Sequence, residues 1–432
     1  MQNDPRKIQL KISTGISSQA SIRAFTALRH PPFRRYWLGL VTSVMGFQIM
    51  LVTQGWLVYE ITGSKLSLGY LGLAAGLPAI LLNLFGGVVA DKVDKRRLLM
   101  TTQIISSLVM FALATLVILD LHQVWHLMAA AFLIGSVQAF DAPTRQAIFP
   151  SLIEPEDMMN AVALNSMVWQ GTRVIGPAVG GIIIGTNLGV APGFYAAFFG
   201  FLFMSLMVAT LRVPPPRRSQ GFSVIQEMAQ GINFVRRNTI FGFLIGMTFF
   251  NSVFGMSYIF LFPVFARDIF DAGTSGLGFL NAATGIGALL GTILTASLGN
   301  FQRKGWLLLG GAISFGIFLI IFAATSSVIG SLPLAMVIIF FAGASTSMYM
   351  ITVMSTLQAL VPNELRGRVM GIYGMTWSLL PLGGMQAGAV AEYTSAPFAI
   401  GLGGTVVILF ALAMMLANRN VRNLGVSVST GH

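Results

Sequence analysis

Long apolar stretches and short polar breaks alternate along the whole chain. Twelve such stretches stand out: 37–59, 68–90, 98–119, 124–150, 160–184, 193–211, 241–266, 276–298, 306–325, 332–358, 368–391 and 396–417. Each approaches or exceeds the roughly 20 apolar residues that let a helix cross a bilayer. Open strands would leave backbone N–H and C=O groups unpaired in lipid, so the pattern predicts helices. The expected fold class is an all-α membrane protein of twelve transmembrane helices.

Composition agrees. Hydrophobic residues make up 55% of the 432 positions and charged residues 9%, with mean hydropathy +0.78; no water-soluble domain buries that much apolar surface. Lys and Arg collect in the N-terminal segment and in every second break. With the N-terminus placed in the cytoplasm, 22 of the 26 fall inside and only Lys65 and Arg267 outside, which orients the chain with both termini cytoplasmic. The net charge of +12 then reads as topology plus attraction to anionic inner-leaflet lipid. Scattered over six segments, it does not predict nucleic-acid binding. There is no cysteine, hence no disulfide, thiolate metal site or cysteine nucleophile. No His/Glu metal spacing occurs, and no Gly-x-x-x-x-Gly-Lys-Ser/Thr loop that would hold ATP. The first 35 residues lack the apolar core of a signal peptide. No cofactor and no enzymatic activity are expected.

A shift of 208 residues superposes the two halves. Phe33 meets Phe241, Leu152 meets Leu360, Glu156 meets Glu364, Trp169 meets Trp377, Gly176 meets Gly384 and Gly180 meets Gly388. The expected organisation is a cytoplasmic tail (1–35), a six-helix bundle (36–211), a cytoplasmic linker (212–240), a second six-helix bundle (241–417) and a tail (418–432). The two bundles are pseudo-symmetric, and a cavity between them near mid-membrane follows from that arrangement. The repeat also places Asp141-Ala-Pro-Thr-Arg145 inside span 4, because its counterpart Tyr349–Val353 sits within an uninterrupted span.

Three charges thus lie in the membrane: Asp141, Arg145 and Arg173. Such residues are costly there and face a wet cavity or one another. Asp141 and Arg145 are four apart, on one helix face. They read either as a proton-coupling site or as a structural ion pair. Arg173 reads as a substrate or gating residue, or as a packing contact. In span 5, Gly176-Pro177-Ala-Val-Gly180 offers a small-residue face and a break in the helix ladder. With Gly384 and Gly388 in the other half, it predicts packing at a symmetric interface between halves. Gln48, Gln54, Gln138, Asn165, Asn251 and Asn281 are polar candidates for the cavity wall, and Trp169 and Trp377 are aromatic ones.

Between spans 2 and 3 lies Gly87-Val-Val-Ala-Asp91-Lys92-Val-Asp94-Lys95-Arg96-Arg97, a charged hairpin. It resembles the loop 2–3 signature of the major facilitator superfamily, with Asp94 where that signature has glycine. Asp141-x-Pro143-x-Arg145, Asn160-Ala-x-Ala-Leu-Asn165 and Arg173-x-x-Gly176-Pro177 look like one branch of it, that of the enterobactin exporter, macrolide efflux proteins and transmembrane secretion effectors. The resemblance implies a monomer. It also implies a latch: Asp91 would meet the N-terminal end of span 11 around Arg366–Val369, with Lys92, Lys95, Arg96 and Arg97 supplying the rest. Its functional implication is a secondary active transporter of the inner membrane, exporting an amphipathic drug or siderophore at the expense of the proton gradient. The partners would be that small molecule, protons and lipid. A proton-coupled importer and a non-transporting receptor or scaffold are the alternatives.

Overall fold

The computed structural model describes residues 26–213, 224–298, 304–362 and 365–417. Within them the chain is helical, with no strand. The first bundle comprises α1 (Pro31–Thr62), α2 (Lys65–Lys92), α3 (Lys95–Ile118), α4 (Val124–Ile148), α5 (Met158–Ile184) and α6 (Ala191–Ala209). The helix α7 (Val224–Arg237) precedes the second bundle. That bundle comprises α8 (Thr239–Ile269), α9 (Gly273–Ser297), α10 (Lys304–Val328), α11 (Leu332–Leu360), α12 (Arg366–Ser378), α13 (Leu380–Tyr393) and α14 (Ala396–Ala417). The expected fold class holds.

The helix ends follow local chemistry. Pro31 and Pro32 open α1, where their missing N–H groups cost nothing. Gly63 closes it with φ +60°, a conformation that glycine adopts freely. Asp94 accepts from the N–H of Arg97 at 3.1 Å and starts α3. The departure from the loop 2–3 signature is therefore a helix cap. Span 4 does continue past Asp141: α4 runs to Ile148, with Pro143 inside it. From Thr26 on, the described end of the N-terminal segment folds back against the bundle. A 3₁₀ turn at Thr26–Arg29 precedes α1, and Thr26 Oγ1 and His30 Nε2 bond the carboxylate of Asp157 at 2.9 and 2.8 Å.

Equivalent helices pack in equivalent pairs. In the first bundle α2 lies against α4 and α3 against α6; in the second α9 lies against α11 and α10 against α14. The halves meet along two seams, α2 with α13 and α5 with α9.

Among the described residues, ten helices are long and apolar enough to cross a membrane by length and composition alone. The two expected spans that miss this measure are the fifth of each half. Helix α5 carries Asn160, Asn165, Gln170 and Arg173. Its counterpart is split at Leu379, beside Pro381, into α12 and α13. Both are seam helices, so their polarity and irregularity are covered by protein or by a cavity, where non-ideal backbone is tolerated. Helix α8 departs from regularity in another way, with π-helical turns at Asn251–Gly255 and Phe265–Ile269.

Candidate functional site

A cavity of about 590 Å³ lies between the halves. Helices α1, α2, α4 and α5 form one side; Trp377, Ser378, Leu380 and Pro381, at the junction of α12 and α13, form the other. Of the candidates read from the sequence, Gln54, Gln138, Asn165, Trp169 and Trp377 line it, as do Asp141 and Arg145. The two tryptophans are equivalent under the internal repeat and face one space from opposite halves. Gln48, Arg173, Asn251 and Asn281 are not among the residues that line it. Gln48 packs where a side chain on Gly176 would otherwise stand. Asn281 donates to the carbonyl of Leu277 in its own helix at 2.9 Å. Asn251 is buried in the first π turn of α8, its amide lacking a protein partner. Polarity alone does not distinguish a wall residue from a helix-internal one.

The ionic centre sits in the first half. Asp141 is 2% exposed and Arg145 7%. One carboxylate oxygen of Asp141 accepts from Thr102 Oγ1 at 2.8 Å and from Gln103 Nε2 at 2.7 Å; the other accepts from Arg145 Nε. Arg145 Nη2 donates to Ser43 Oγ at 2.8 Å, and Ser43 in turn donates to Gln103 Oε1 at 2.8 Å. The five residues come from α1, α3 and α4. Burying a charge pair is more tolerable the more of its lone pairs and protons find partners: Thr102 and Gln103 satisfy the carboxylate and Ser43 takes Arg145 Nη2, while the buried Arg145 Nη1 has no partner among the described residues. Sequence reasoning found the ion pair but missed these three. Isolated Ser, Thr and Gln in apolar helices carry no periodic signal. Among the described residues the second half has nothing equivalent. Tyr349 stands where the repeat puts Asp141, and its hydroxyl bonds Thr248 Oγ1 at 3.3 Å; the counterparts of Thr102 and Gln103 are Gly310 and Gly311.

The two ends of the cavity differ. At the end away from the basic loops the halves are pressed together. A methyl group on Gly69 (α2) would lie 2.8 Å from Met385 Cα (α13), and one on Gly181 (α5) 2.8 Å from Gly278 Cα (α9). A polar closure caps this end. Glu392, at the end of α13, accepts from the N–H groups of Lys65 and Leu66 at 2.7 and 3.2 Å and from Ser64 Oγ at 3.3 Å, at the start of α2. The Tyr59 hydroxyl donates to Asp268, and Arg267 Nη1 donates to the carbonyl of Tyr59 at 3.3 Å. At the basic end a side chain on Gly87 (α2), Gly371 or Gly374 (α12) would meet nothing within 4 Å. The cavity thus opens toward the basic loops.

The glycines of span 5 behave differently from expectation. Side chains on Gly176 and Gly180 would meet Gln48 and Ile49 of α1, and one on Gly384 would meet Phe260 of α8. Gly176 and Gly180 thus pack within their own half. Gly388 touches the other half, against the carbonyl of Lys65, and the carbonyl of Gly384 lies 3.1 Å from where a methyl group on Gly69 would stand. The seam at α5 is made instead by Gly181, with the carbonyl of Pro177 also close to Gly278. A small-xxx-small stripe reports close approach without saying which neighbour approaches. In the charged hairpin, Lys92 and Arg97 are exposed, Lys95 is half-buried, and Arg96 donates to the carbonyl of Ala209 at the end of α6. The side chains of Asp91 and Arg366 lie outside the described residues, and with them the contact expected of the latch. Among the described residues no group of His, Cys, Asp and Glu is arranged to hold a metal.

Comparison with known proteins agrees with this geometry. The chain is 24% identical over 406 residues to macrolide efflux protein A of Streptococcus pyogenes, covering 89% of this chain and 96% of that one. It is 23% identical over 408 residues to the enterobactin exporter EntS of Escherichia coli O1:K1 / APEC, covering 91% and 94%. It also resembles the multidrug efflux pump Tap of Mycolicibacterium fortuitum, at 25% over 403 residues, 90% and 95% covered. Among solved structures, a bacterial homologue of the human lysosomal transporter Spinster, inward-facing and unoccupied, superposes with TM-score 0.70 at 15% identity, covering 93% of this chain and 97% of that one. A D-xylose–proton symporter gives 0.67 at 14%, covering 91% and 99%. The transmembrane secretion effector family matches residues 22–427. Two six-helix halves around a central cavity, together with a match over nearly the whole length, place this chain in the transmembrane secretion effector family of major facilitator transporters.

Proposed function

We propose that this transporter is an exporter that uses the proton gradient to drive an amphipathic small molecule outward by alternating access. The observation that carries the reading is the Asp141–Arg145 centre in the wall of a cavity open at one end only. With the basic loops in the cytoplasm, the open end of the cavity is the inner one, from which substrate would load. Apolar and aromatic wall residues with a few polar groups suit an amphipathic ligand. The efflux names of the relatives support the direction.

Asp141 is the group assigned to the proton. Its carboxylate accepts from Thr102, Gln103 and Arg145, and a proton arriving on the oxygen that faces Arg145 would displace that bond. That release frees the guanidinium and loosens α4 from α1 through Ser43. Protonation is thereby linked to packing inside the first half, which is the kind of differential contact that shifts a two-state equilibrium. The test is uptake into inside-out vesicles carrying the protein, with a macrolide, a catechol siderophore and lipophilic dyes as substrates. Accumulation that needs the proton gradient and stops on uncoupling is the expected result. Uptake only into right-side-out vesicles would make the protein an importer.

A further inference from the structure

The charges within the spans leave one cation unbalanced. Asp141 is the only carboxylate away from the helix ends among the described residues, and Arg145 occupies it. Arg173 stands in the middle of α5, exposed, with no ion pair or hydrogen bond among the described residues. Where it faces follows from its neighbours. Gly176 and Gly180 turn toward α1, whereas Val174 and Gly181 turn toward α9. Trp169 lies on the same side of the helix as Gly176 and Gly180, nearer the basic end, where it lines the cavity. Four residues advance a helix by about 40° beyond one full turn, so Arg173 stands between the α1 and α9 faces, one turn nearer the closed end and just beyond the residues that line the cavity.

An unpaired guanidinium at membrane depth is expensive, and a cleft with low-dielectric walls concentrates its field. A ligand carboxylate or similar anionic group would meet it with bidentate geometry. The opposite sign of ligand finds no partner among the described residues, because no free carboxylate lines the cavity there. We infer that Arg173 is a specificity-determining residue that receives the anionic head of an amphipathic ligand whose apolar or aromatic body lies between Trp169 and Trp377. This rests on the cavity's being the substrate site of the proposed transporter.

The probe is 1-pyrenebutyrate, compared with its neutral amide and with a pyrenebutyl trimethylammonium of similar size. Binding is read by equilibrium dialysis on the full-length protein in phosphatidylcholine nanodiscs, without any gradient. The expected order is carboxylate tightest, and the ammonium weakest. Arg173→Gln should remove the preference for carboxylate over amide, a loss of about tenfold or more, the factor one charge-assisted hydrogen bond supplies. Arg173→Lys should retain most of it, while Gln48→Ala, outside the cavity wall, leaves it unchanged. Repeating the measurement with phosphatidylglycerol in the disc separates two sources of the same chemistry: competition would assign the site to a lipid headgroup, its absence to a soluble amphiphile. Equal binding of carboxylate and amide by the wild type, including no binding of either, overturns the inference, as does an unaltered preference in Arg173→Gln. Anion-selective binding without gradient-driven flux would sink the exporter reading alone.

Discussion

Residue by residue, the ionic centre is the most sensitive part of the molecule. Arg145→Ala leaves the Asp141 carboxylate buried without its counter-ion, and breaking such a pair costs about 3–5 kcal/mol. Thermal unfolding in detergent should show a large fall in midpoint. Asp141→Asn removes the charge but keeps much of the hydrogen bonding. It should fold, bind substrate and exchange it down a gradient, yet lose proton-driven accumulation in vesicles. Retained accumulation would remove Asp141 from the coupling scheme. Asp157 is a second site with a defined sign. Hydrogen bonds from His30 first, and from Thr26, hold its carboxyl below its usual value. A depressed carboxyl contributes stability above its unfolded value and loses it as pH falls through the folded one. The tie between the Thr26–Arg29 turn and the start of α5 should therefore fail only under acid. Asp157→Asn should reproduce that failure at neutral pH as faster amide exchange in the turn.

Among the helices, the seams decide which state is populated. Helices α2 and α13 touch backbone to backbone at Gly69 and Met385, and Glu392 caps the start of α2 from the other half. A carboxylate at a helix N-terminus is stabilised by the unpaired N–H groups there. The chain has no native cysteine, so Ser64→Cys with Glu392→Cys forms one defined pair. Its oxidation should lock the outer end, stop transport and be reversed by reductant. Transport that continues after complete crosslinking would show that this seam does not open. The internal repeat predicted that the fifth spans correspond. Which faces their glycines meet was not legible, because a glycine stripe looks the same against a helix of its own half or of the other.

Across the whole molecule, opening outward must break the seams at one end and form new contacts at the other, where the glycines of α2 and α12 now face open space. The loop 2–3 signature is the device proposed to hold that second state. Asp91→Asn should reduce transport strongly without lowering the amount of protein in the membrane. Unimpaired transport by this variant would reduce the hairpin to a topological anchor.

Hydropathy, charge bias and the 208-residue repeat determine the membrane class, the twelve helices, their pairing into halves and the placement of Asp141 and Arg145 within a span. These are properties of contiguous segments, where lipid solvation and the helix period leave a mark on every turn. The tertiary structure alone decided which polar residues join: Ser43, Thr102 and Gln103 around the ion pair, Glu392 and Asp268 at the closed end. It also decided which end is closed. Such contacts bring together residues far apart in the chain, and each depends on how two apolar surfaces come to rest against each other. Hydrophobic packing is non-directional, so no single segment records its outcome.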